Sequence, residues 1–289
     1  MMISDRALTV FVYTSLSAIL LVTIYPLIYV LFASVSDGDL LLAHTGAIWK
    51  PLGFNLLAYE RVLANRALFT GFANTLFIVV VGTAVNVMMT ILAAYVMSRK
   101  QMLWGPYLMA FILLPMFMNG GIIPFYLVVK GLGLINSLWS LIIPFAMKTF
   151  YFIIMRTAFQ SLPPSLEESA HIDGAGHLTM LFRIIVPLSM PVIAVVTLYT
   201  CIDKWNMWFY PSLFIKDRTL YPIQLVLREI LINNVTDSLA AGAGSGQVRK
   251  IGETIKYATI MIATFPVLLI YPFLQKHFVK GVMIGAIKG

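Results

Sequence analysis

The chain has 289 residues, 60% of them hydrophobic and only 11% charged, with a formal net charge of +8. Soluble domains carry roughly a quarter of charged residues, so this composition excludes an ordinary globular fold and points to a chain that spreads its apolar surface into lipid. The basic residues are scattered among apolar runs, which excludes a nucleic-acid patch, and the single cysteine, Cys201, excludes an internal disulfide or a cysteine metal cluster.

Ala7 to Ser36 holds no charged residue, and at about 1.5 Å per residue such a run exceeds the roughly 20 residues that cross the hydrocarbon as a helix. It lacks a small-residue cleavage site and is too long for a signal-peptide core, so a retained span over 7–34 is expected. Ala67 to Ser98 and Gln101 to Val129 are likewise uncharged, with Arg99 and Lys100 as a basic turn between them, and predict spans over 68–98 and 103–129. A fourth span over 137–159 carries the internal Lys148, a fifth over 184–212 begins among Pro187 and Pro191, and a sixth covers 257–276. The expected fold is an all-α membrane protein of six transmembrane helices, forming one transmembrane domain over residues 1–289.

Lys and Arg in short loops set orientation. If the spans alternate, Arg6, Arg99, Lys100, Arg156, Arg183, Lys276, Lys280 and Lys288 share one side, which predicts a multi-pass membrane protein with both termini cytoplasmic. Two polar segments exceed simple turns: an internal loop over 161–183 and an external loop over 213–256 that contains the glycine-rich stretch 240–246.

Within the internal loop, Pro163-Pro164 excludes helix before it, and Ser165 with Glu168 three residues later has capping-box spacing. Gly174 provides a left-handed stop, so a helix of about two turns is expected, too short to be stable without a packing partner. By local features it is equally an interfacial helix or a docking element.

The wider pattern decides between them. Glu168-Ser169-Ala170, three residues, Gly174, nine residues, Ile184, one residue, Val186-Pro187 resembles the signature of ABC importer permeases, Glu-Ala-Ala, three residues, Gly, nine residues, Ile, one residue, Leu-Pro. Every spacing agrees, and Ser169 and Val186 are the departures. Asn74-Thr75, Ala93-Ala94-Tyr95, Ser98-Arg99, Gly120-Gly121-Ile122-Ile123-Pro124 and Phe278-Val279-Lys280-Gly281 resemble the type-1, carbohydrate-uptake branch. Within it the chain is similar to the maltose-type shorter subunit and to the aldouronate/alginate oligosaccharide permease group.

The resemblance implies the type-1 ABC importer fold with a short cytoplasmic coupling helix, seated in a groove of an ATPase. Glu168, Ser169, Ala170, Asp173, Gly174, Arg183, Ile184 and Pro187 would form the ATPase-coupling site, none of them catalytic. It also implies a second homologous permease subunit in a heterodimer, two ATPase subunits, and a periplasmic or lipid-anchored solute-binding protein reached by the external loop.

The chain contains no G-x-x-x-x-G-K-[ST] loop, so ATP and Mg belong on the partner ATPase subunits and no cofactor or metal is expected here. Charges at membrane depth mark pathways because desolvating them is costly. Lys148, Asp203, Lys204, Trp205, Asn206 and Trp208 are therefore the candidate translocation pathway; the aromatic rings suit sugar faces, and the two lysines suit an anionic sugar. The expected function is uptake of an oligosaccharide, including an acidic, uronate-containing one such as an alginate oligosaccharide, by alternating access. The alternatives are a permease for another solute, such as an amino acid, peptide or glycerol phosphate, and a secondary transporter, for which inverted repeats and intramembrane carboxylates would be needed.

Overall fold

A computed structural model describes residues 2–99, 102–118, 120–240, 253–266 and 268–269. The described residues are predominantly helical and contain no strand. Among the described residues, α-helices run in the order α1 Met2–Ser34, α2 Gly38–Ala43, α3 Leu57–Leu63, α4 Arg66–Ser98, α5 Gly105–Phe117, α6 Ile122–Gly131, α7 Thr149–Gln160, α8 Pro164–Ile172, α9 His177–Met180, α10 Val186–Leu188, α11 Met190–Trp205, α12 Phe209–Phe214 and α13 Ile223–Ala240. Residues 253–266 are also helical.

Among the described residues, two helices are individually long and apolar enough to cross a membrane, Arg6–Ser34 within α1 and the whole of α4. Three further spans are possible by length and composition, each a broken pair: Gly105–Phe117 with Ile122–Gly131, Leu138–Phe145 with Thr149–Gln160, and His177–Leu188 with Met190–Trp205. The breaks sit where the backbone cannot continue as a helix. Gly121 has φ 86° at the start of α6. Pro144 sits in a short 3-10 turn before Lys148, and the pair there bends by 44°. Ser189 lies between Pro187 and Pro191 and turns the chain by 83°, with a π-helical stretch at Leu181–Ile185 just before it. A proline removes an amide donor and clashes with the carbonyl four residues back, so a kink rather than a straight rod follows. The expected sixth span, 257–276, is helical at 257–266 and 268–269, and its remaining positions lie outside the described residues, as do the glycine-rich stretch from 241 onward and the tail resemblance at 278–281.

The described residues fall into two compact units, one built from the chain up to Leu68 together with residues from Leu227 onward, the other centred on Phe69–Val226. In the first, the segment after α1 is tied down by polar contacts to that helix. The Tyr25 hydroxyl accepts from the Ile48 amide at 3.2 Å, Ser36 Oγ accepts from the Leu52 amide at 3.0 Å, and Ser34 bonds Tyr59 at 2.8 Å. Leu41 and Ile48 are buried against Ala33 in a small apolar cluster.

The second unit has two apolar cores. One joins α4, α7 and α11 through Tyr95, Phe152, Met155 and Val196 and takes in Ala170 of α8. The other gathers Ile78, Val129, Leu141, Phe214 and Ile215 under a set of aromatic rings. Where a long external loop is expected over 213–256, the chain builds α13 instead of irregular structure. Pro222 precedes it, and Thr75 Oγ1 accepts from the Ile223 amide at 2.8 Å, satisfying one of the orphan amides of the helix start.

Candidate functional site

Between the two cores of the second unit lies a cavity of about 430 Å³. Its wall is assembled from four stretches of chain: Asn86 from α4, Phe145 to Tyr151 around the start of α7, Thr200 to Lys204 on α11, and Asn206 to Tyr210 leading into α12. One face is a polar ladder. Asn86 Nδ2 donates to the Phe145 carbonyl at 2.9 Å, and Thr200 Oγ1 donates to Asn86 Oδ1 at 3.3 Å and to the Val196 carbonyl at 2.8 Å. The amide of Asn86 therefore bridges a loop carbonyl on one side and a helix hydroxyl on the other. In a membrane interior such a bridge is the way to hold an irregular backbone at depth.

Opposite it stands the charged cluster. Lys148 Nζ reaches Asp203 Oδ2 at 2.7 Å, and the Tyr151 hydroxyl donates to the same oxygen at 2.6 Å. The Lys148 ammonium also lies 4.8 Å from the centre of the Tyr151 ring. The side chains of Lys148 and Asp203 remain 54% and 45% exposed, open to the cavity.

Lys204 is placed differently. It is 3% exposed, its Nζ donates to the Leu141 carbonyl at 3.2 Å, and its stem passes over Gly82, where an added Cβ would stand 2.7 Å from Lys204 Cδ. The ammonium lies 5.6 Å from the Phe145 ring centre, at the cavity wall. With both lysines protonated, two cations face one carboxylate, and the cavity carries an excess of positive charge. Aromatic rings line the remainder: Phe145 and Tyr210 at 4.7 Å between centroids, then Phe209 and Trp208.

Five of the six pathway candidates, Lys148, Asp203, Lys204, Asn206 and Trp208, meet at this cavity. Trp205 does not. Successive helix positions turn by about 100°, which carries Trp205 away from Asp203 to pack edge-on against Phe72 at 5.9 Å, 9% exposed. Asn206 ends α11, its side-chain amide folded back onto the Ile202 carbonyl at 3.0 Å. Reading the sequence alone missed Asn86, Tyr151 and Thr200. The signal for Asn86 was available, since it is an amide inside the uncharged run of α4.

The second candidate site is α8 with the turn that follows. The helix begins one residue before the expected capping box: Pro164 occupies its first turn, Pro163 is extended at ψ 129°, and no side chain caps it. Ser165 is inside the helix, so the box does not form; proline at the first position starts a helix without needing a donor there. At the other end the expectation of a left-handed stop is realised. Gly174 has φ 75°, the Ala175 amide donates to the Ala170 carbonyl at 2.9 Å, and the Gly174 amide to His171 at 3.0 Å. These are the paired bonds of a Schellman ending.

Ala170 faces inward, 6% exposed, while Glu168, Ser169, Asp173, Arg183 and Pro187 are exposed and Ile184 is half-buried. Ile172 and Leu178 stand out at 86% and 67% exposure. His171 and His177 come together with ring centroids 5.8 Å apart; among the described residues no three His, Cys, Asp or Glu side chains gather as a metal site.

Residues 86–284 match the model of the family described as binding-protein-dependent transport system inner membrane component. The polygalacturonan/rhamnogalacturonan transport system permease protein YtcP of Bacillus subtilis (strain 168) is 38% identical over 99% of this chain and 99% of its own length. A chain from the crystal structure of a bacterial ABC transporter involved in the import of the acidic polysaccharide alginate superposes with a TM-score of 0.85 at 30% identity, covering 95% of this chain and 98% of that one. A second chain, from a bacterial alginate ABC transporter in complex with an alginate pentasaccharide-bound periplasmic protein, shares the fold with a TM-score of 0.62 at 16% identity and 93% coverage of both chains. The chain thus belongs to the binding-protein-dependent transport system inner membrane component family, and it is a multi-pass permease subunit of an ABC importer.

Proposed function

We propose that this permease moves an oligosaccharide with uronate units across the bacterial inner membrane, by alternating access driven from outside the chain. The observation that carries the substrate class is the central cavity, where Lys148 and Lys204 outnumber Asp203 beside a set of aromatic rings. Sugar faces stack on rings, and a carboxylate on each unit finds an ammonium group held at a depth where unpaired charge is otherwise costly. The polygalacturonan/rhamnogalacturonan designation of one relative and the alginate substrate of a structural neighbour support the same class.

The energy enters at α8. A helix of nine residues with Ile172 and Leu178 bare beside it is the surface of a docked element rather than of a free loop. Glu168, Ser169 and Asp173 face outward from it, Ala170 seats it on the permease, and Gly174 turns the chain back toward Arg183, Ile184 and Pro187. In this reading α8 is cytoplasmic, as are both termini, and it sits in a groove of one of two ATPase subunits that hold ATP and Mg. A second, homologous permease completes the pathway, and a solute-binding protein delivers the sugar from outside; a periplasmic protein accompanies the second structural neighbour.

The test is ATPase stimulation of the reconstituted four-subunit complex, measured with oligogalacturonates, alginate oligosaccharides and maltodextrins, each with its binding protein. Stimulation by the acidic sugars and not by maltodextrin is expected. A response confined to neutral sugars, or to amino acids or peptides, overturns the substrate reading.

A further inference from the structure

Glu167 and Glu168 are neighbours in the sequence but point to different sides of α8. Glu168 is exposed, whereas Glu167 turns back onto its own subunit and forms an ion pair with Arg99, just past the end of α4. The two side chains are 32% and 22% exposed, so the pair is partly shielded from water. Arg99 is itself held from below: its guanidinium lies 4.1 Å from the centre of the Tyr95 ring, one turn back on α4. Tyr95 in turn reaches beyond α8. Its hydroxyl bonds His177 Nδ1 at 3.4 Å and donates to Met180 Sδ at 3.6 Å. Arg156 Nε donates to the Met97 carbonyl at 2.8 Å and ties α7 to the same helix end.

We infer that Arg99 and Glu167 form a strut that converts displacement of α8 into movement of α4, with Arg99 and Glu167 as positioning residues for transport. The inference rests on α8 being the coupling helix and adds the route by which its motion enters the membrane. The packing of α8 offers little else to pull on, because Ala170 is its one buried side chain and a methyl group transmits no tension. An ion pair does, since separating charges that are partly desolvated costs more than sliding apolar surfaces past each other. The joint can also swivel. Only Nη1 of Arg99 meets Glu167, while its buried Nε and Nη2 have no hydrogen-bond partner among the described residues. A carboxylate can therefore move along the guanidinium edge without losing the charge contact. The path is short: α4 carries Gly82 and Asn86, both at the cavity wall or against Lys204, so a pull at its end reaches the site where the sugar would sit.

The test uses the assembled complex and charge reversal. Arg99→Glu and Glu167→Arg are each expected to lower transport per ATP hydrolysed at least roughly tenfold, while the ATPase subunits still co-purify, and the double exchange is expected to restore most of it. Should either reversal fail to insert, Arg99→Gln and Glu167→Gln take its place. A readout independent of the sugar is the distance between spin labels at Val96 and Ser165 in a Cys201→Ser background. ATP should leave that distance narrow in the parent and broaden it in Arg99→Gln. Full transport in the single variants, no rescue by the exchange, or an unchanged label distance overturns the strut. Gly174→Val separates the two claims: if it uncouples the complex while the Arg99 and Glu167 variants do not, the coupling helix stands and the strut falls; if Gly174→Val also couples normally, the coupling reading itself fails.

Discussion

Between Pro163 and Pro187 nearly every structural feature is local: a proline start, a helix of nine residues, a left-handed glycine and a Schellman ending, each made by residues within five positions of one another. The cavity is the reverse. Asn86 bonds a carbonyl 59 residues away, Tyr151 a carboxylate 52 residues away, and Lys204 a carbonyl 63 residues away. Once packed, the loop takes its backbone form from its own residues, which suits a part that must be carried as a unit. The cavity keeps its shape only while α4, α7 and α11 stay in one arrangement, which suits a site that must exist in one state and be remade in another.

The contrast is breakable by substitution. The largest effect is expected from Gly174→Val. Nothing stands within 4 Å of a Cβ there, so the cost is purely conformational: about 1–2 kcal/mol for a side chain in the left-handed region, and more for a β-branched one. Transport in proteoliposomes should fall by about tenfold or more, with cavity ligands bound as before. Lys148→Gln comes next. Removing a charge-assisted contact worth about 1.5–3 kcal/mol should weaken acidic oligosaccharides by roughly tenfold or more and leave neutral ones unchanged, measured as half-saturation of substrate-stimulated ATPase activity. Equal weakening of both would mean that Lys148 holds the cavity together rather than reading charge.

Gly82→Ala tests the long-range part alone. Its Cβ would meet Lys204 Cδ and Cε at 2.7 Å, and overpacking of this kind costs about 1–3 kcal/mol. The Lys204 stem is flexible, so a loss of a few degrees in Tm is expected, with the Lys204 bond to Leu141 displaced and α8 unaffected. The smallest effect belongs to Asp217→Ala, in the segment expected from the sequence to be an external loop. The amide and the hydroxyl of Thr219 donate to Asp217 at 2.9 Å and 2.8 Å and hold its carboxyl below the ordinary carboxylate range. A depressed folded pKa contributes stability that is present above the unfolded pKa and lost as pH falls through the folded one. The parent should therefore hold a slight advantage over Asp217→Ala at neutral pH, small because the group is exposed, and lose it as the pH falls into the acid range, in a pH series of melting curves.

Much of this protein is legible from its residues. Uncharged runs announce the membrane, because no other solvent accepts such composition, and Gly174 announces a stop, because only glycine takes φ 75° without strain. The spacing from Glu168 to Pro187 pointed to the family to which the chain belongs, and Pro187 and Pro191 foretold a disturbed helix, realised as a turn at Ser189. The misses have a common cause. Ser165 has the spacing of a cap but not the position, since Pro164 had already opened the helix. Trp205 has the neighbours of a pathway residue but not their direction.

What the sequence determined by itself is what depends on a residue and its near neighbours: apolarity, helix ends, breaks and the spaced motif. What only the tertiary structure decided is which distant groups share an oxygen or a ring, such as Lys148 and Tyr151 on Asp203, Lys204 over Gly82, and Arg99 on Glu167 rather than on its neighbour Glu168. The reason is geometric. A helix fixes the angular spacing of its own side chains, but the face it turns toward another helix is chosen by packing among all of them, and one position along the chain turns a side chain by about 100°.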